Sequence, residues 1–128
     1  MNSSELKQML KELLALYCPS PFFLQCPSNA RFPRTEYEFK QISIDGYPYE
    51  KAILTLNLYD KSTQEAIDTA VDNLVSAVDK SIRYTAGYYY HFYYNHDRQS
   101  VTESDRTLRR VMLSFEIRIY TRSEELCQ

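Results

Sequence analysis

The sequence predicts an α+β fold: a mainly antiparallel sheet of four to five strands with two helices packed on one face, in the order α-β-β-β-α-β-β. Three observations carry this. A leucine stripe near the start repeats at helical spacing, a longer aliphatic stripe fills the middle, and the segments on either side of that second stripe alternate with period two. At 128 residues, 44% hydrophobic and 25% charged, the chain has the size and composition of a single domain spanning 1–128. Such a chain buries a core without needing metals or disulfides.

Leu6, Met9, Leu10, Leu13, Leu14 and Tyr17 fall on one helical face, with Asn2 and Glu5 as a capping pair and Pro19 and Pro21 as the stop. Residues 22–25 read as a short strand and 27–35 as a loop. Segments 37–45 and 49–59 form a hairpin around Gly46, Tyr47 and Pro48. In the second segment Ala52, Leu54, Leu56 and Leu58 alternate strictly and face the core. In the first, Tyr37 and Phe39 are odd-numbered while Ile42 and Ile44 are even, a slip of phase that implies a bulge near Lys40.

Ser62 and Glu65 have the spacing of a capping box. Ile67, Ala70, Val71, Leu74, Val75, Val78 and Ile82 then define a helical stripe of about five turns that packs on the sheet. Gly87 ends the connection that follows.

The aromatic run Tyr88–Tyr94 is a strand by propensity. Its partner, residues 108–121, alternates Val111, Leu113, Phe115, Ile117 and Ile119 with Met112, Ser114, Glu116, Arg118 and Tyr120. Whichever face of the aromatic strand points inward, large rings stand on the other, and contiguous patches of that kind mark interfaces. At about 3.3 Å per residue the partner strand spans roughly 45 Å. A compact chain of this size is roughly 36 Å across. An unbroken hairpin therefore either overhangs the body and reaches a neighbour, or bends at a bulge. The polar link, residues 96–106, reads as a loop.

Chemistry is sparse. With Gly46 and Gly87 the only glycines, no phosphate-cradling loop can be built, and no nucleotide, hydrolase or metalloprotease motif occurs. His91, His96 and Asp97 are close in sequence but lack the ligand set of a metal site. No catalytic residue, metal or cofactor is expected. Cys18, Cys26 and Cys127 match no ligand spacing and read as free thiols. No apolar stretch is long enough to span a bilayer, and residues 1–12 lack a leader pattern, so a cytoplasmic chain is expected. The net charge is -2, which disfavours nucleic acid as a partner. Residues 83–122 nevertheless carry 7 basic against 4 acidic groups, and residues 1–82 carry 8 against 11. A basic hairpin on an acidic body suits directional self-association. The candidate interface residues are Tyr89, His91, Tyr93, Arg98, Arg106, Arg109, Arg110, Arg118 and Tyr120. The alternative reading of this tyrosine-rich face is an RNA- or ligand-binding platform, which combines rings with basic side chains.

The order of elements resembles the tail terminator and tail completion proteins of long-tailed bacteriophages. So do the chain length, the strand through residues 49–59 leading straight into a capped helix, and the closing strand Leu113-Ser114-Phe115-Glu116-Ile117-Arg118-Ile119-Tyr120. The resemblance covers nearly the whole chain and rests on pattern, not on an invariant motif. It implies a non-catalytic structural protein of the virion tail, assembled in the host cytoplasm. Such a protein forms a homo-oligomeric, commonly hexameric ring that caps the tail tube, with the major tail protein and a head-completion protein as partners. It carries over no individual residue.

Overall fold

The computed structural model of the chain describes residues 3–18, 20–25, 31–42 and 48–122. Helix α1 (Ser3–Tyr17) buries Leu6, Met9, Leu10, Leu13 and Leu14, the stripe read from the sequence. Asn2 of the expected capping pair, the tip of the hairpin at Gly46 and Tyr47, Cys26 and Cys127 all lie outside the described residues. Strands β1 (Pro21–Phe23), β2 (Arg34–Ile42) and β3 (Glu50–Asp60) precede helix α2 (Gln64–Val78). Strands β4 (Ile82–Tyr84), β5 (Tyr88–Tyr94), β6 (Gln99–Val101) and β7 (Arg109–Thr121) follow it.

These strands form one sheet in the order β1-β2-β3-β7-β5-β4, with β6 pairing β7 off that path. β1 runs parallel to β2, and the other pairs are antiparallel. The expectation of a mainly antiparallel sheet of four to five strands is therefore corrected. The chain is α+β, but its sheet is mixed, has six to seven strands and curls into a half-barrel. The missing strands, β4 and β6, are three residues each, too short to display a period of two over its noise.

Three local expectations change as well. All nine residues of β2 pair with β3 in a single register, from Arg34 opposite Tyr59 to Ile42 opposite Lys51. There is no bulge at Lys40; Ile42 simply lies on the face away from the core. The N-cap of α2 is Thr63, not Ser62: its Oγ1 accepts from the Ala66 N–H at 3.1 Å, while Ser62 Oγ donates to Asp60 at 2.5 Å. The helix also ends at Val78, after about four turns, because Lys80 takes φ 64°. Ile82, in phase with the stripe, belongs to β4 and is exposed.

The core is the inner face of the sheet against both helices. Tyr37, Leu54, Leu56, Tyr90, Phe92, Leu113, Phe115 and Ile117 meet Leu10, Leu14, Val71 and Leu74 in one cluster. Full burial of each such aliphatic or phenyl side chain contributes about 1.5–3 kcal/mol before ordering entropy is subtracted. Cys18 joins this cluster, and burial pushes its thiol up to about 12, which leaves it unreactive.

Strand β7 does not overhang the body. Its residues 109–119 pair with β3, and its inner face is buried from Val111 to Ile119. The other edge of β7 is shared, first by β6 and then by β5. Between them residues 95–98 stand opposite only Leu113 and Ser114, a two-residue bulge that includes His96 at φ 55°. Asp97 accepts from the Ser114 N–H at 2.8 Å and also from its hydroxyl. Arg98 ties the bulge to α2 through Asp68, at 2.9 Å, and Asp72. The segment expected as a loop, 96–106, thus contains a strand.

Helix α1 lies between the two free edges of the curl. Lys7 Nζ stands 5.3 Å over the Phe23 ring beside β1, and Arg83 of β4 donates to the Tyr17 hydroxyl at 3.4 Å. Glu5 accepts from the Gly87 N–H at 3.2 Å. A Cβ at position 87 would meet the Glu5 carboxylate at the same 3.2 Å, so glycine permits this approach.

Candidate functional site

Neither helix covers the outer face of the sheet. Alternation sends Tyr89, His91 and Tyr93 of β5 to that side, while Tyr90 and Phe92 are buried in the core. On β7 the outward set is Arg110, Met112, Ser114, Glu116, Arg118 and Tyr120, and on β3 it includes Lys51, Asn57 and Tyr59.

The register turns these residues into rows. Tyr84 stands opposite Tyr89, and Tyr89 opposite Tyr120. Tyr49, just before β3, completes the row, so that ring centroids from Tyr49 to Tyr120 to Tyr89 to Tyr84 are 5.4, 5.2 and 6.2 Å apart. Tyr89 and Tyr120 stack at 13° between ring planes, a cross-strand aromatic pair of the kind that stabilises sheets. The His91 ring lies 5.0 Å from Tyr120.

Arg118 anchors the next row. Its Nε donates to Glu116 at 2.7 Å, and its guanidinium lies 4.6 Å from the Tyr93 ring centroid and 5.2 Å from that of Tyr49. The bond to Glu116 holds the guanidinium above its ordinary pKa. Lys51 approaches the other Glu116 oxygen at 3.7 Å. Burial, followed by the neighbouring Tyr93, raises the Tyr120 phenol. At the far end of the face Tyr59 lies between Arg34, at 5.9 Å, and Arg110, at 5.6 Å. Arg110 also donates to Asn57 at 2.9 Å and to Glu103 at 3.2 Å. Burial and a hydrogen bond with Glu36 push Tyr59 up to about 12.

Six of the nine candidate residues, Tyr89, His91, Tyr93, Arg110, Arg118 and Tyr120, therefore share one face. Three do not. Arg98 is committed to the two aspartates of α2, Arg109 donates to the Ser62 carbonyl at 2.9 Å, and Arg106 is exposed on the β6–β7 connection. The face also includes Tyr49, Tyr59, Tyr84 and Lys51, none of them among those candidates. Tyr49 and Tyr59 were legible, since both are in phase with the outward side of β3. His91, His96 and Asp97 take separate partners: Tyr120, Tyr94 and Ser114. Among the described residues, no group of three or more histidine, cysteine, aspartate or glutamate side chains could hold a metal ion.

Fold and face together define a small α+β domain with a curled mixed sheet, one side of which is spent on the core and the other left as a tyrosine and arginine surface. No family model and no curated protein matches the chain. Among solved structures it is similar to a chain of the "Virion of native gene transfer agent (GTA) particle", with a TM-score of 0.60 at 12% identity. That match covers 91% of this chain and 92% of the other. At such low identity the likeness is one of fold.

Proposed function

We propose that the chain is a structural protein of a phage-type virion, of the tail terminator or tail completion kind. It caps the tail tube and helps join tail to head by assembling into a ring, without catalysis. The observation that carries this reading is the fold likeness to a chain of a gene transfer agent virion, a phage-like particle, which runs over nine-tenths of both chains.

In this reading the ring is a hexamer and the tyrosine row with Arg118 supplies part of the surface between copies. Tyrosine and arginine dominate the energetic centres of protein interfaces, and here both are already fixed in place by neighbours, which lowers the ordering cost of binding. The partners are the major tail protein on one side and a head-completion protein on the other. The chain resides in the virion tail and assembles in the host cytoplasm.

Native mass spectrometry or light scattering of the purified chain tests the assembly. A discrete oligomer is expected. A clean monomer at micromolar concentration in moderate salt, unchanged when tail tubes are added, contradicts the reading.

A further inference from the structure

Every large hydrophobic side chain exposed among the described residues lies at one of the two ends of the strand order, β1 or β4. Leu16, Tyr17, Ile82 and Tyr84 are on or beside β4, and Phe23 and Leu24 are on or beside β1. Tyr84, Leu16 and Leu24 are 64%, 70% and 60% exposed. Natural sheets blunt their edges with charge, proline or cover, and these two edges are treated differently.

On β4 the bonds from Thr85 N–H to Tyr88 C=O, at 2.9 Å, and from Phe92 N–H to Ser81 C=O, at 3.0 Å, set the alternation. Arg83 then exchanges with Tyr90, and Ile82 and Tyr84 turn both their N–H and C=O groups away from β5. Among the described residues, no backbone hydrogen bond closes this edge. On β1 the bonds from Thr35 N–H to Ser20 C=O, at 3.2 Å, and from Leu24 N–H to Tyr37 C=O, at 2.8 Å, commit Phe22 to β2. The free side then offers the Pro21 C=O and the Phe23 N–H. Pro21 has no N–H, and the Phe23 C=O already accepts from Gln25 at 2.9 Å.

One carbonyl and the N–H two residues later are the pair that a single residue of a parallel neighbour exchanges. Tyr84 presents the matching N–H and C=O. We propose that β1 of one copy adds in parallel to β4 of the next, with Phe22 opposite Tyr84, so that the sheet continues from subunit to subunit. Side-chain directions agree with this. Phe22 pairs with Glu36 and so faces outward, where it adds a fifth ring to the row that ends at Tyr84. Phe23 faces inward, so in this contact it meets the next copy's cleft of about 350 Å³ between α1 and β4, lined by Met9, Leu13, Leu16 and Arg83. The Arg83 Nε there is buried without a hydrogen-bond partner among the described residues. The contact joins two different surfaces, so repeated copies close a ring or extend as a filament. It rests on the ring-assembly reading and adds an edge contact to the outer-face surface named there.

The test uses two full-length variants, Phe22→Cys and Tyr84→Cys, each with Cys26→Ser and Cys127→Ser. Neighbouring strands lie about 4.8 Å apart, a separation that a disulfide spans. Mixing and oxidising the two is expected to give the crossed disulfide in preference to either self-linked species. A second pair, Leu16→Glu and Ile82→Lys, alters side chains already exposed. It is expected to keep the thermal midpoint and lose the oligomer in native mass spectrometry. An oligomer that persists in the charged variants and gives no crossed disulfide overturns the edge contact while leaving ring assembly standing. A chain that is monomeric throughout, with or without tail tubes, removes both.

Discussion

The two faces of β5 and β7 are built from the same strands at the same positions in the sheet, yet they are held together by different physics. On the inner face Tyr90, Phe92, Phe115 and Ile117 are sealed under two helices, and their contribution comes from removing apolar area from water. On the outer face Tyr89, Tyr120, Tyr93 and Arg118 remain half-buried and satisfy one another through ring stacking, cation–π contact and a charged hydrogen bond. Interactions of this second kind are individually small in water. Their value lies in holding large amphipathic side chains in fixed positions. The inner face makes the domain fold, and the outer face gives it a ready surface.

That contrast can be broken from the inside first. Phe92→Ala or Phe115→Ala should cost about 3–5 kcal/mol in denaturant unfolding, since each leaves a cavity under the helices. A loss below 1 kcal/mol would mean that the inner face is not the core described above. Tyr120→Ala, on the same strand but facing out, should cost only about 0.5–1.5 kcal/mol while weakening assembly much more than stability. Equal losses on both faces would erase the distinction. Arg98→Ala should cost about 1 kcal/mol, because the ion pairs it makes with Asp68 and Asp72 are partly exposed. The change should be visible as faster amide exchange confined to β6 and the bulge.

The smallest expected effect is a titration. Tyr59 has its folded pKa raised from 10.0 to about 12, so the fold favours the neutral phenol. Its contribution to stability is fully present below about pH 10 and is lost as the pH rises through about 12. Phenolate absorbance should therefore show a late-titrating tyrosine that disappears in Tyr59→Phe. A titration in which Tyr59 ionises with the exposed tyrosines would show that its burial and its hydrogen bond with Glu36 do not hold.

The helices and β3 were legible because their apolar residues repeat often enough to fix a period. Ile82 was misread for the same reason: it continues the α2 stripe by spacing alone, while the turn at Asp79 and Lys80 is a backbone event that no apolar pattern records. Ile42 misled in the opposite sense, since an apolar residue on the open face mimics a slipped register. The open face itself was half legible. Tyr89, His91, Tyr93, Arg118 and Tyr120 follow from alternation within their strands, but the row from Tyr49 to Tyr84 depends on register across four strands. Arg98 looked like a surface cation because its partners, Asp68 and Asp72, lie some thirty residues away on a helix.

The most direct test of the account is to add the purified chain to polymerising major tail protein of the same particle and measure tube length and end occupancy by electron microscopy. The account predicts a ring at tube ends and shortened tubes, with both effects lost in a Tyr89→Ala, Tyr120→Ala variant that still unfolds cooperatively. Tubes of unchanged length with bare ends would contradict it.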